Sequence, residues 1–266
     1  MVTAAHPLTS QQLGSLKALA LQQFKSEGYV VVPNVVDRER LLELTEMLWA
    51  EFTRQESTGE IFSVGGTRSG HLNCFPGVES RFVYDALQRQ GILALVDALS
   101  DVPLRHPNVG CNFNLPGSSA QNEHADGDAT RPFLIVNVAP IDTDLCNGAM
   151  EILHHTHDRP FKYWQILRER PKRSRVELRG GDVLIRSSSL WHRGMPNLSP
   201  RPRPMLAFTW EEGGSRQVDP YAAYDGKITF LPNRYANDWK GRAKEQLYVA
   251  LPRVGNAFRA VRSFIE

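Results

Sequence analysis

Residues 179–210 read RGGDVLIRSSSLWHRGMPNLSPRPRPMLAFTW. Two short apolar runs stand in this stretch, Asp182 to Arg186 and Met205 to Trp210, with Ser, Gly, Pro and Asn between them. Short runs rich in β-branched or aromatic residues and bounded by turn residues read as strands. Working outward, the same texture recurs at Cys111 to Leu115, Phe133 to Val138 and Met150 to Leu153. Repeated short strands separated by turns point to a sandwich or barrel, not to a parallel sheet.

The N-terminal side has a different rhythm. Leu13, Leu16, Ala20 and Phe24 recur at helical spacing, and Gly28 supplies a stop. Tyr29 to Val32 reads as a strand closed by Pro33, and Asp37 is placed to cap a helix with Leu41, Thr45, Leu48 and Phe52 on one face. Residues 54–80 are rich in Gly, Ser and polar side chains and read as a long loop, a candidate lid. Residues 82–99 return to a helical pattern through Leu87, Ile92, Leu95, Val96 and Leu99. The charged, aromatic segment 160–173 is a further helix candidate, and the tail from 234 to 266 carries helical spacing at Trp239, Leu247, Phe258, Val261 and Phe264. No repeat or linker divides the chain. The expectation is one domain over 1–266, with a helical part at 10–100, a β core at 103–212 and the helical tail.

With 41% hydrophobic and 23% charged residues, the composition is that of a soluble globular protein. A net charge of +2 is too small, and too evenly spread, to call for nucleic acid. The N-terminus lacks the charged and apolar regions of a signal peptide, and no apolar run approaches the roughly 20 residues that span a bilayer. The expectation is therefore a cytoplasmic protein, a monomer or small homo-oligomer, with no membrane partner. Cys74, Cys111 and Cys146 form no CxxC pair and read as small buried hydrophobes in a reducing compartment.

The chemistry concentrates at His124-Ala125-Asp126. Side chains two apart on a strand share a face, so this imidazole and carboxylate would converge on one point. His192, after the strand-like run 182–186, offers a third donor. Two histidines and one carboxylate leave coordination positions open, the arrangement of non-haem Fe(II) oxygenases. The same donors also suit a zinc hydrolase. H-x-D alone is common: His124 and Asp126 could be a surface pair, and His192 a core histidine bonded to backbone.

Four segments, taken in order, resemble the phytanoyl-CoA dioxygenase-like family. They are FKSEGYVVVPNVVDRERL (24–41), NLPGSSAQNEHAD (114–126), NGAMEILHHTH (147–157) and RGGDVLIRSSSLWHRGMPNLSPRPR (179–203), within a match from Phe24 to Trp210. The resemblance implies a mainly β fold with flanking helices, a double-stranded β-helix or cupin-like jelly roll with the metal near its mouth. It implies Fe(II), 2-oxoglutarate and O2, with release of succinate and CO2 and hydroxylation or another oxidation of a small polar or natural-product substrate. His124, Asp126 and His192 become the metal ligands. An intact Asp126 argues against halogenation, since related halogenases lack that carboxylate.

The resemblance also places an arginine for the distal carboxylate of 2-oxoglutarate eleven residues beyond the last ligand, at Arg203. Asn197 supports that register, and Arg201 competes with it. Asn112 stands where related enzymes often contact the co-substrate. Arg68, His71, Asn73, Arg131, Arg186 and Trp191 are candidate substrate contacts. The chain departs from the family at His154-His155-Thr156, where Pro-Gly-Ser is usual, while His157 matches the family's structural histidine. Bacterial members are often secondary-metabolite tailoring enzymes, an analogy only. The alternatives are a catalytically inactive jelly-roll binding protein and a metal-dependent hydrolase.

Overall fold

The computed structural model describes residues 10–58, 69–100, 106–127, 130–210, 219–231 and 250–265, with positions 239, 240, 243 and 247. Arg68, the rest of 59–68 and most of 232–249 lie outside the described residues.

Helix α1 (Ser10–Glu27) stops at Gly28, whose φ of +76° suits glycine and whose missing side chain makes room for the His157 ring. Strand β1 (Tyr29–Val32) follows, then α2 (Arg38–Thr58). The Asp37 carboxylate accepts the Arg40 amide at 2.9 Å, so the expected cap forms. Leu41, Thr45, Leu48 and Phe52 are all buried, as their spacing requires.

The remaining elements are β2 (His71–Phe75), α3 (Arg81–Arg89), α4 (Ile92–Leu99), β3 (Asn108–Asn114), β4 (Leu134–Val138) and β5 (Met150–Leu153). After them come α5 (Tyr163–Glu169), β6 (Arg173–Val176), β7 (Val183–Ser187), β8 (His192–Arg193), β9 (Arg203–Trp210), β10 (Thr229–Phe230) and α6 (Pro252–Ile265). One sheet runs β1-β7-β4-β9-β3-β2-β10 and the other β6-β5-β8, with every strand pair antiparallel. The fold is a jelly roll.

Alternation along the large sheet divides its two faces. Cys111, Phe113, Val136, Val138, Leu206 and Phe208 bury against the helices. Leu184 and Met205 face the other way and pack with Ile152, Val176 and Leu190 between the two sheets. Burying one such side chain stabilises by roughly 1.5–3 kcal/mol, so a one-residue slip of any central strand would be prohibitive. Period-2 logic then assigns Asn112, Asn114, Asn137, Arg186 and Arg203 to the inter-sheet face, an unusually polar set for a protein interior.

The structure corrects several expectations. Residues 54–80 are not one loop: α2 continues to Thr58, and His71–Phe75 forms β2. Its pairing with β3 and β10 supplies what HLNCF lacks in strand propensity. The sheet therefore reaches well beyond 103–212. The helical stretch 82–99 is two helices, broken at Gly91 with φ +73°. His124 lies on no regular strand; it makes an isolated bridge to His192. Cys74 and Cys111 are buried, whereas Cys146 is exposed in a turn where the Asp144 carboxylate accepts its amide. No helix among the described residues is long and apolar enough to cross a membrane.

The glycines of RGGD serve this architecture directly. The Gly181 carbonyl accepts the amides of Val35 and Val36, and Asp182 accepts that of Asn34, tying the β1–α2 loop to the start of β7. At Gly181 φ is +95°, and a Cβ would sit 2.4 Å from the Val36 carbonyl oxygen. Gly117 has φ +72° and open space around it. Gly181→Ala should lower unfolding free energy in urea by about 3 kcal/mol. Gly117→Ala should lose only about 1 kcal/mol. Equal losses would contradict the close approach at Gly181.

Candidate metal centre

The site is built on a narrow main-chain ladder. The His124 amide donates to the His192 carbonyl at 3.0 Å, and the His192 amide returns a bond to His124 at 2.9 Å. Residues directly opposite in such a bridge project to the same side, and the two imidazole centroids lie 4.5 Å apart. The amides of Asp126 and Gly127 both donate to the Ser188 carbonyl, turning the chain so that Asp126 faces the pair.

Each histidine is set by the same local device. His124 Nδ1 lies 2.8 Å from the Asn122 carbonyl oxygen, and His192 Nδ1 lies 2.9 Å from that of Leu190. A carbonyl can only accept, so both Nδ1 atoms carry the proton and both Nε2 atoms present a lone pair. Asp126 Oδ1 is 3.6 Å from His124 Nε2, and Oδ2 is 3.5 Å from His192 Nε2. The three donor atoms lie within 4.8 Å of one another, the one such group among the described residues. Two neutral imidazoles and one carboxylate on one side fit a divalent transition metal with open positions.

Electrostatics keep the ligands in metal-ready states. Burial, the largest single effect, would raise the Asp126 carboxyl, but the Arg186 guanidinium together with His124 and His192 outweighs it and holds the group well below the usual carboxylate range. Burial pushes His192 well below its ordinary value, and Arg186 and His124 add to the effect. A deprotonated carboxylate and a neutral imidazole are the ligating forms.

Arg203 stands across the strand pairs from Asn114 and, through it, His71. It is 4% exposed. Its guanidinium donates to main-chain carbonyls, Gly148 at 3.1 Å and Asn147 at 3.5 Å, and among the described residues no acidic side chain pairs with it. Burial lowers it to about 10, so it remains charged. Arg201 is unlike it: exposed, 3.7 Å from Glu46 and over the Trp49 ring. Asn197 is buried and structural, donating to the Asn114 and Arg201 carbonyls and so closing the turn that leads into β9.

The other candidates separate. His71 is brought beside Arg203; its Nε2 donates to the Ser119 carbonyl at 2.8 Å, and its buried Nδ1 has no partner. Asn73 and Asn112 pair across β2 and β3 on the inter-sheet face, and the Asn112 amide reaches the Leu72 carbonyl. Arg131 is exposed ahead of β4. Trp191 turns away from the site and stacks on Tyr163 in a separate apolar cluster with Leu153 and Ile166, so its surroundings are those of a packing residue. Arg186 is not open to a substrate, because it is committed to Asp126 at 2.7 Å and Asn137 at 3.0 Å. His154, His155 and His157 tie the end of α1 to the β core through Glu27 and the Ser26 and Lys25 carbonyls.

Asn114 and Asn137 were not singled out in the sequence. The signal was a polar residue inside an otherwise apolar strand, as in LIVNV. Sequence reading also missed the charge network behind the ligand loop. Glu123, buried beside His124, pairs with Arg173 and lies 3.8 Å from Arg193, which forks onto Glu151. Arg259 of α6 donates to the Glu123 carbonyl and stacks over Tyr163.

Residues 24–205 match the profile of the phytanoyl-CoA dioxygenase family. Among solved structures, the fold is similar to the epimerase SnoN in complex with Fe3+, alpha ketoglutarate and nogalamycin RO. That match has TM-score 0.58 and 18% identity, covering 78% of this chain and 93% of that one. The alpha ketoglutarate-dependent carbocyclase SnoK from nogalamycin biosynthesis matches with TM-score 0.58 and 17% identity, over 85% of this chain and all of that one. HygX from Streptomyces hygroscopicus, with nickel and 2-oxoglutarate bound, matches with TM-score 0.53 and 19% identity, over 79% and 89%. At such identities these likenesses bear on the fold.

One pH effect follows from the burial of His71, which pushes its pKa down to about 4 despite the bond to Ser119. Below the ordinary histidine value of about 6.5 the unfolded chain takes up a proton that the folded chain refuses. The stability tied to neutral His71 is thus complete above pH 6.5 and is lost as pH falls toward 4. In His71→Gln, the decline of the urea midpoint between pH 6.5 and 4.5 should be shallower than in the wild type. Parallel declines would show that His71 titrates normally.

Proposed function

The chain belongs to the phytanoyl-CoA dioxygenase family, non-haem iron and 2-oxoglutarate-dependent oxygenases, and from that premise we propose how this member works. His124, Asp126 and His192 hold the iron, Arg203 receives the distal carboxylate of 2-oxoglutarate, and the substrate is a small polar or natural-product molecule that is hydroxylated or otherwise oxidised. The observation that carries the co-substrate assignment is Arg203. A guanidinium buried without an acidic partner is costly unless an anion arrives to pair with it. A buried cation of this kind suits an anionic co-substrate, which a metal-dependent hydrolase does not require.

Iron and 2-oxoglutarate, when bound, supply the oxidation, with decarboxylation to succinate and CO2 coupled to oxygenation of the substrate. The protein's residues do the placing. The Asn122 and Leu190 carbonyls keep the Nε2 lone pairs of His124 and His192 aimed at one point. Arg203 offers a planar fork to a carboxylate, and its own carbonyl contacts fix its direction. Asn73, on the inter-sheet face, is in position to meet a polar substrate, with Asn112 across from it for the co-substrate and His71 nearer to Arg203. The nogalamycin and hygromycin relatives support a natural-product substrate: SnoN was crystallised with nogalamycin RO, and a structure of HygX holds hygromycin B.

Anaerobic protein loaded with Fe(II) and 2-oxoglutarate should show a weak visible charge-transfer band that is lost in His192→Ala. No band in the wild type, or an undiminished band in the variant, would sink the metal assignment. For the co-substrate, Arg203→Ala should weaken 2-oxoglutarate binding by about a hundredfold, the scale of losing a buried charge-assisted pair. Arg201→Ala should change it less than about threefold, as expected of an exposed ion pair. The reverse order, read by calorimetric titration, would move the role to Arg201.

A further inference from the structure

The metal-facing carboxylate does not stand alone. Arg186 projects from β7 into the inter-sheet space with its side chain 6% exposed, and its Nη2 lies 2.7 Å from Asp126 Oδ2. Its Nε donates to Asn137 Oδ1 at 3.0 Å, and the Asn137 amide is tied in turn to the Leu206 carbonyl of β9. The third nitrogen, Nη1, is buried with no partner. Two central strands thus lock this guanidinium against one oxygen of Asp126, the oxygen that also lies 3.5 Å from His192 Nε2. A surface aspartate would rotate freely between its two oxygens; this one cannot.

We propose that Arg186 is a positioning and redox-poising residue: it fixes which way the Asp126 carboxylate faces and biases bound iron toward the ferrous state. The inference rests on His124, Asp126 and His192 holding iron. Its physical basis is simple. A fixed positive charge a few ångström from the metal repels the ferric ion more strongly than the ferrous ion. The hydrogen bond from Arg186 also draws electron density from Asp126 and makes it a weaker donor, which again disfavours the higher charge. At an effective dielectric constant of about 20, one unit of charge at that range changes an equilibrium by more than about tenfold. Arg186 thus turns a buried charge into a means of holding the oxygen-reactive ferrous form.

The test uses the full chain loaded with iron in the absence of 2-oxoglutarate. Fe(II) affinity is read by competition with a chromophoric chelator, and the one-electron ferric/ferrous midpoint by mediated titration. Arg186→Gln removes the charge; Arg186→Lys keeps the charge but loses the fork; Asn137→Leu keeps the ion pair but loosens its anchor. In Arg186→Gln the ratio of ferric to ferrous affinity should rise at least about tenfold, seen as a negative shift of the midpoint. Arg186→Lys should stay near the wild-type midpoint but bind Fe(II) several-fold more weakly. An unchanged midpoint in Arg186→Gln, with wild-type protein that binds iron normally, overturns this role and leaves the metal site intact. Wild-type protein that binds no iron overturns both. If Arg186→Gln does not fold, Asn137→Leu decides through Fe(II) affinity, since it keeps the charge: a several-fold fall supports the role, and wild-type affinity overturns it.

Discussion

The reciprocal pair of main-chain hydrogen bonds between His124 and His192 is the constraint on which the rest of the site depends. It joins two segments far apart in sequence, and it does so through backbone groups that any residues would provide. What it contributes is position: two side chains on one side of a ladder, with their rings in contact range. The ladder can form because β7 is held between β1 and β4 in the large sheet, while β8, which follows it, pairs with β5 in the smaller sheet. The sandwich is therefore what brings a short, irregular loop against the end of a strand. The carbonyls of Asn122 and Leu190 then decide which imidazole nitrogen is bare, an effect of local geometry acting on chemistry.

A second theme is where charge is left unbalanced. Two arginines rise from the inter-sheet face, and their environments differ in one respect. Arg186 has an acid, Asp126, and Arg203 has none among the described residues. The interior meets the first with Asp126, a carboxylate that also faces His124 and His192. The second rests on main-chain carbonyls alone among the described residues. Behind the ligand loop, the ordering is reversed: Glu123 and Glu151 are matched by Arg173 and Arg193, and α6 closes over them through Arg259. That network pairs its acids within the chain and braces the loop, unlike the surroundings of Arg203, which is buried against main-chain carbonyls.

Much of this was legible in the residues. Asp37, Leu41, Leu48 and Phe52 announced a capped helix with one buried face, because capping and 3.6-residue periodicity are local effects. Met150–Leu153 and the runs ending at Arg186 and Trp210 announced strands. His124, Asp126 and His192 were named from spacing and order; Arg203 was named for the co-substrate carboxylate, with Arg201 as competitor, and of the two the structure buries Arg203 and exposes Arg201. The misreadings share one cause. Strand β2 is polar and β6 is charged, and both exist because of what they pair with. Gly91 breaks a helix whose apolar periodicity runs straight through it. Trp191, one residue from a ligand, points into a different core.

The sequence by itself determined which donors are available, in what order, and which strands must bury one face, since all of these follow from residue type and period. Only the tertiary structure decided that Nε2, not Nδ1, is bare on both histidines, that Arg186 grips Asp126 instead of meeting a substrate, and that Arg203 lacks an acidic partner. Those outcomes depend on atoms brought together across the sheet by distant segments. Hydrogen-bond direction and charge pairing act over a few ångström in space and leave no periodic trace along the chain.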